Sequence, residues 1–196
     1  MQKKLRAPLI LASASPRRKL LLEQAGYTFD VIVPDVDESS HLYDDISPIA
    51  YTKLLALEKA RTAAQNHPDA LTIGADTIVY TDGQIIGKAE DDSHAREIIE
   101  MLFGKPHEVI TGVALLKPDE NIQLVKSVTT VVYPKKLTQK QIEAYIDSGD
   151  WKGKAGAYGI QETGDKFVDR IDGSLTNVMG FPMELVSELL KQFVVE

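Results

Sequence analysis

Two serines and two arginines separate an apolar segment from a helix-forming segment near the N-terminus, in the sequence LASASPRRK. Ser15 is a good helix N-cap, and Pro16 suits the first helical position, where its missing N–H costs nothing. Arg17 and Arg18 oppose the helix dipole at this end unless an anion is bound. Serine hydroxyls such as that of Ser13, helix N–H groups and guanidinium groups can all hold phosphate oxygens. The segment therefore predicts a phosphate site, and a solvated helix start is the alternative.

Carboxylates interrupt one predicted strand and follow another. Asp76 lies within IGADTIVY, which is otherwise apolar and β-branched, and a charge inside a buried strand is costly unless it is paired or bound to a metal. Asp35, Asp37 and Glu38 follow the segment FDVIV, where a simple polar turn is the alternative. Ligands of open α/β sheets bind where strands lead into loops. These carboxylates are candidates for binding a divalent cation or a water molecule.

Lysines and neutral polar groups extend this set. Lys88 ends the predicted strand QIIGK, and Lys53 and Lys59 lie on a predicted helix, where solvated lysines are the alternative. In KGKAGAYGIQETG, Tyr158 could stack on a base and Gln161 could hydrogen-bond to it, although a flexible loop is the simpler explanation. The P-loop pattern is absent, which argues against a kinase. Cations, carboxylates and base-recognising groups together predict hydrolysis of a nucleotide phosphoanhydride.

The composition restricts the classes of function. With 196 residues, 43% of them hydrophobic, the chain can bury one sizeable core, so we predict a single domain over residues 1–196. The net charge of -7 gives no general basic field for a nucleic acid polymer. Cysteine is absent, so a metal would be a hard cation on carboxylates. No apolar segment approaches the roughly 20 residues of a membrane span, and the apolar run after the basic N-terminus is too short for a signal peptide, which predicts a cytoplasmic protein.

Strands and helices interleave along the chain, which predicts a mixed α/β protein with a central sheet. The predicted helices are RRKLLLEQAG, IAYTKLLALEKARTAAQ, HAREIIEMLF, TQKQIEAYIDS and MELVSELLKQFV. The predicted strands include PLILA, LTIGADTIVY, EVITGVALL and SVTTVVY, together with a second strand in FDVIVPDVDES that ends in an acidic turn. Helix N-caps are predicted at Ser15, Ser47, one of residues 91–93, and Thr138, which begins a capping box. The segment from Trp151 to Pro182 is rich in glycine and is predicted to be irregular.

The motifs resemble those of the Maf family. LILASASPRRKLLLEQAG, VPDVDES, IGADTIV, IIGK, VITGVALL, GKAGAYGIQ and GSLTNVMGFP occur in that family's order and spacing, and they extend over almost the whole chain. The resemblance implies a two-lobed α/β fold with a central mixed sheet flanked by helices and a cleft between the lobes, related to that of the inosine triphosphate pyrophosphatases. It also implies a pyrophosphatase that converts a nucleoside triphosphate to the monophosphate and pyrophosphate with a divalent cation, Mg²⁺ or Mn²⁺.

The resemblance also implies roles for individual residues. Asp76 would be the proton acceptor, and Glu38 would bind the metal or the water, with Asp76 as a second metal ligand. Residues around the phosphates would be Ser15, Arg17, Lys59 and Lys88. Arg17, Thr77 and Gln161 correspond to positions associated with substrate choice, and AGAYGIQ is similar to the form found in the subfamily acting on dTTP and UTP.

Two departures and two alternatives accompany the resemblance. Ala89 follows Lys88 where the family often has proline, which should loosen the loop, and TTVVYPKKL lacks an arginine that many relatives carry. One alternative is a house-cleaning pyrophosphatase for other modified nucleotides. The other is a nucleotide-binding regulator of cell division with little turnover, against which the carboxylate of Asp76 argues. A symmetric homodimer is the default expectation for assembly.

Overall fold

A mixed β-sheet organises the protein, which is described here from a computed structural model over residues 3–37, 46–159 and 167–195. The strands are β1 Leu9–Ala12, β2 Asp30–Ile32, β3 Leu71–Thr81, β4 Gln84–Ile86, β5 His107–Lys117, β6 Ile122–Pro134 and β7 Val168–Asp172. Their order is β2-β1-β3-β5-β6-β7, with β4 paired to β3. β1 is parallel to β2 and β3, whereas the other pairs are antiparallel. The predicted α/β class with a central mixed sheet is confirmed.

The helices begin at the predicted capping residues. They are α1 Pro16–Gln24, α2 Pro48–Ala64, α3 Asp92–Leu102, α4 Gln139–Ser148, α5 Leu175–Val178 and α6 Met183–Lys191. Ser15, Ser47 and Asp91 each accept a hydrogen bond from the first turn of their helix, and Thr138 forms the complete capping box with Gln141. These interactions join residues three apart in the chain, which is why local sequence was sufficient to predict them.

One prediction about the elements is confirmed and one is wrong in part. The second strand was predicted at the start of FDVIVPDVDES, before an acidic turn, and β2 covers Asp30–Ile32. The region from Trp151 to Pro182, predicted to be irregular, contains β7 and α5. β7 is a strand because it pairs with the distant β6, and this long-range contact leaves no local pattern in the sequence.

Helix α2 lies unusually close to one face of the sheet. Gly74 of β3 and Gly112 of β5 make this approach possible, because a Cβ atom at these positions would lie 2.5 Å from the carbonyl oxygen of Ala56 and 2.3 Å from that of Thr52. Asp76 is opposite Gly112 in the β3–β5 pairing, and it is two residues from Gly74, so it lies on the same face. The close packing therefore places α2 directly over Asp76.

Two core clusters cover the other face. The first core cluster packs α1 and α6 against the sheet and includes Leu11, Leu22, Ile73, Phe181 and Leu190. The second core cluster packs α3 and α4 and includes Val79, Ile99, Leu102, Ile146 and Trp151. Thr77 and Thr111, which are paired in register, occupy the interval between the clusters along the strands. This polar boundary separates the two core clusters. We call the part of the fold built around each cluster a lobe, and the interval at Thr77 and Thr111 the lobe boundary.

Candidate active site

The candidate site lies at a gap in the sheet. Residues 72–80 of β3 pair with β5 on one side. On the other side, residues 71–74 pair with β1 and residues 79–81 with β4. In the described part of the chain, residues 75–78 therefore have no strand partner on that second side, and we call this opening the sheet gap. It adjoins the carboxyl end of β1, where ligands bind in open α/β sheets.

Asp76 lies in the sheet gap and forms an ion pair with Lys59 of α2. Lys59 Nζ donates to Asp76 Oδ1 at 2.6 Å, and the two side chains are 11% and 9% exposed. The pair explains how a strand residue so deeply buried can carry a charge. Asp76 Oδ2 accepts no hydrogen bond from any residue that the structure describes. One carboxylate oxygen is thus held in place by the lysine, and the other is available to a water molecule or a cation.

The two adjacent arginines have different surroundings. Arg18 donates to the carbonyl oxygen of Ala75 at 2.7 Å, to that of Gly180 at 2.9 Å, and to the hydroxyls of Thr77 and Ser13 at 3.1 and 3.3 Å. The prediction that Arg18 awaits an anion is wrong, because its N–H groups instead connect α1 to β3 and to the turn before α6. Its contact with Ala75 lies at the edge of the sheet gap.

Arg17 has no such partners. It is half-buried, and it makes no hydrogen bond or salt bridge to a residue within the described ranges. Burial lowers the pKa of Arg17 from its usual value, and the phenol of Tyr145 on α4 acts in the opposite direction. A half-buried guanidinium without a counter-ion is the group expected at an anion site. Arg17 thus fits the phosphate role predicted for it.

Lys88 and Ser15 approach the same opening from two strand ends. β4 runs back along β3, with Ile86 paired to Val79, so the exposed Lys88 continues towards the sheet gap. Its backbone is held by an isolated bridge to Ala155. Ser15 caps α1, and its own N–H donates to Ser13 Oγ at 3.1 Å. The structure thus places Lys59 and Asp76 in the sheet gap, directs the chain at Lys88 towards it, and places Ser15 and Arg17 at the start of α1, which follows β1.

Thr77 faces away from Asp76, because neighbouring strand residues point to opposite faces. Its hydroxyl accepts from Arg18, lies 3.0 Å from the hydroxyl of Thr111, and donates to the carbonyl oxygen of Gly180 at 3.2 Å. These three contacts fill the hydrogen-bonding capacity of a hydroxyl group. Thr77 is therefore positioned as part of the wall at the lobe boundary, and a direct hydrogen bond to a base would have to replace one of these contacts.

Glu38 and Gln161, two further predicted site residues, lie outside the described residues. Within the described ranges, no group of three or more histidine, aspartate or glutamate side chains is arranged to hold a metal ion. Mg²⁺ is often bound by only one or two carboxylates together with substrate phosphates, and Asp76 Oδ2 is a donor of that kind. The chemistry of this donor therefore fits a hard divalent cation.

Two nearby residues were missed by the sequence analysis. Lys154 and Tyr145 both interact electrostatically with Arg17, although they are separated from it by more than a hundred residues in the chain. The predictions for the glycine-rich sequence KGKAGAYGIQETG concern its aromatic and amide groups, those of Tyr158 and Gln161, and not its lysines. A basic residue in a turn-rich segment is the signal that could have identified Lys154.

The protein therefore has an α/β fold with a mixed central sheet. Its candidate site consists of the Asp76–Lys59 pair in the sheet gap and of cationic side chains from both lobes. The family model described as Maf-like protein matches residues 8–193, and the chain belongs to the Maf family. The resemblance seen in the sequence motifs is confirmed.

Curated relatives match nearly the full length of the chain. A dTTP/UTP pyrophosphatase of Bacillus cereus is 42% identical over 188 residues, which cover 96% of each chain. A dTTP/UTP pyrophosphatase of Symbiobacterium thermophilum is 44% identical over 185 residues, which cover 94% of this chain and 93% of that one. Among solved structures, a HAM1 protein from Coxiella burnetii aligns over 95% of this chain and 99% of its own, with a TM-score of 0.49 and 14% identity.

In the described residues, no helix is both long and apolar enough to cross a membrane.

Proposed function

We propose that this protein is a nucleoside triphosphate pyrophosphatase that hydrolyses dTTP and UTP to the monophosphate and pyrophosphate. The observation that carries the proposal is the Asp76–Lys59 pair in the sheet gap, 2.6 Å apart. It is supported by the half-buried Arg17, which has no described partner and precedes Arg18, the residue that contacts the edge of the gap. A proton acceptor beside cations is what water attack on a phosphoanhydride requires. The names of two relatives, at 42% and 44% identity over nearly the full length, support the choice of substrates.

Asp76 is the proposed proton acceptor. A water oxygen bonds to the α-phosphorus, Asp76 Oδ2 takes the proton of that water, and the bond from the α-phosphorus to the bridging oxygen breaks to release pyrophosphate. Lys59 holds the opposite carboxylate oxygen and fixes the direction of Oδ2. Arg17 and Lys88 counter the negative charge that grows on the leaving group, and Ser15 adds a hydroxyl and the N-terminus of α1.

A divalent cation, Mg²⁺ or Mn²⁺, is the proposed cofactor. Asp76 and Glu38 would hold it. When bound, the cation neutralises charge on the phosphate oxygens. The proposal for base recognition assigns the amide of Gln161 to the pyrimidine edge and Thr77 to the wall against which the base is placed.

The test is a substrate panel with product separation. The purified protein is incubated with Mg²⁺ or Mn²⁺ and with each common NTP and several modified NTPs, and the nucleotides, phosphate and pyrophosphate are resolved. We expect UMP or dTMP together with pyrophosphate. NDP with inorganic phosphate would refute attack at the α-phosphorus, and tight nucleotide binding without turnover would favour the regulatory alternative.

A further inference from the structure

The segment of residues 149–159 (the glycine-rich segment below) brings a further lysine to the strand that carries Lys88. Ala155 forms the bridge with Lys88, and the N–H of Gly156 donates to the carbonyl oxygen of Gly87 at 2.8 Å. Within the segment, the carbonyl oxygen of Lys154 accepts from the N–H of Ala157 at 3.1 Å. The backbone of Lys154 is therefore fixed one residue away from the bridge to Lys88.

The side chain of Lys154 is held as well as its backbone. It packs against Gly159, where an added Cβ atom would lie 3.0 Å from Lys154 Cδ and 3.3 Å from Lys154 Nζ. The ammonium group consequently lies against the end of the glycine-rich segment and is half-buried. It makes no hydrogen bond or salt bridge to a residue of the described ranges. A restrained, half-buried ammonium without a partner requires an anion or water to satisfy its donors.

Arg17 lies close enough to Lys154 to affect its ionisation. Burial lowers the pKa of Lys154, the positive charge of Arg17 lowers it further, and Asp150 opposes them. Asp150 forms no salt bridge with Lys154, so this carboxylate moderates the local charge without neutralising it. Arg17 and Lys154 are thus two cations close enough to repel each other, an arrangement that is unfavourable until an anion is placed between them.

Tyr145 supplies an unused donor at the same place. The residue is 6% exposed, and its buried phenol oxygen lies against the backbone N–H of Gly159, while no described residue accepts a hydrogen bond from its O–H. Burial and Asp150 raise the pKa of Tyr145 to about 12, while Gly159 and Arg17 act in the opposite direction. The phenol is therefore a neutral O–H donor near Arg17 at neutral pH. A buried O–H group without an acceptor is an independent sign that a ligand oxygen belongs there.

We propose that Lys154 is a further substrate-binding residue, which joins Arg17 and the hydroxyl of Tyr145 in holding the phosphate chain across the lobe boundary. This inference rests on the proposed function. The ligand is a polyphosphate rather than a base, because two neighbouring cations favour a multiply charged anion, whereas a pyrimidine base is neutral. Lys154 acts mainly on binding of the phosphate chain and not on proton transfer at Asp76.

The test compares Lys154→Met with Lys152→Met. Lys152 belongs to the same segment but is exposed and lies over the ring of Trp151, so its substitution removes an equal charge outside the proposed site. For Lys154→Met, we expect KM for UTP and the inhibition constant of inorganic pyrophosphate to rise roughly ten- to a hundredfold, which is typical for loss of a charged hydrogen bond. The value of kcat should change less, Lys154→Arg should restore part of the affinity, and Lys152→Met should resemble wild type. Thermal melts of all variants verify that they are folded.

Three outcomes would overturn the inference. One is a change of less than about twofold in both constants for Lys154→Met, which is smaller than the effect expected from loss of a charged hydrogen bond. Another is an equal effect of Lys152→Met, which would indicate that the overall positive charge of the segment, and not a specific contact of Lys154, affects binding. The third is altered preference among bases with unchanged inhibition by pyrophosphate, which would place Lys154 at the base.

Failure of the proposed function would give a different result. If wild type hydrolyses no NTP, calorimetry with inorganic tripolyphosphate still tests Lys154. Binding by wild type and by Lys152→Met, with a loss in Lys154→Met, would support the anion site alone. Absence of binding by wild type would refute the anion site too.

Discussion

Removing one member of the Asp76–Lys59 pair should destabilise the protein more than removing both. The pair is 2.6 Å long, and its side chains are only 9% and 11% exposed. Lys59→Met therefore leaves a buried carboxylate without its cation, which costs about 3–5 kcal/mol in buried pairs. For a domain of this size, a loss of about 3 kcal/mol lowers Tm by roughly 6–12 °C.

The double variant Asp76→Asn/Lys59→Met tests the cause. Because neither member of this pair remains charged, we expect its free energy of unfolding to lie within about 1–2 kcal/mol of wild type. Urea unfolding at pH 7 of wild type, both single variants and the double variant gives the coupling energy, which should exceed about 1 kcal/mol.

Lys53→Met is the matched control for charge and helix position. Lys53 also lies on α2 but forms no salt bridge to a described residue. Its replacement should change the free energy of unfolding by no more than about 0.5–1 kcal/mol. Equal destabilisation by Lys53→Met and Lys59→Met, or additive effects of the two pair substitutions, would refute the reasoning from the buried ion pair.

In the activity assay, Asp76→Asn should bind UTP but lose about 10²–10⁴-fold in turnover, and near-normal turnover would contradict its role.

The stability should also depend on pH through His107, which is 2% exposed, is hydrogen-bonded to Tyr158 and has a pKa lowered to about 4 by burial. Since an unfolded histidine titrates near 6.5, the unfolded state binds more protons between these values, and stability should fall by up to about 3 kcal/mol as the pH drops from 6.5 to 4. Urea unfolding across this range checks the slope, which His107→Gln should reduce. Gly112→Ala should lower the free energy of unfolding by about 1–3 kcal/mol or more, because its Cβ atom would lie 2.3 Å from a backbone oxygen of α2. Gly87→Ala is the control, since no described atom lies within 4 Å of the added Cβ atom, and it should leave the free energy of unfolding nearly unchanged in the same urea experiment. Gln161→Ala should change the ratio of UTP to CTP turnover, and an unchanged ratio would contradict its role at the base.

Much of the fold was predictable because it depends on short-range patterns. Helix starts at Ser15, Ser47 and Thr138 use hydrogen bonds between residues three apart. Long apolar and β-branched runs correctly predicted β3, β5 and β6. In contrast, β7 escaped prediction because its stability comes from pairing with β6, whose sequence is far away.

The candidate site was predictable in its residue types but not in its partners. The sequence indicated that Asp76 needs a compensating cation, yet several lysines were available for that position. Lys59 is selected because Gly74 and Gly112 allow α2 to lie against the sheet. Such a contact depends on the distance between a helix and a strand, and no local pattern records it.

The sequence alone determined the class of the protein, the positions of its helix caps and the motifs that identify the Maf family, because these depend on residue order and local hydrogen bonding. Only the tertiary structure decided that Arg18 is used by protein carbonyl and hydroxyl groups, whereas Arg17 remains without a described partner. The two neighbours differ because successive helix residues point in directions about 100° apart. Arg18 therefore contacts β3, whereas Arg17 is directed elsewhere and interacts electrostatically with Lys154 and Tyr145.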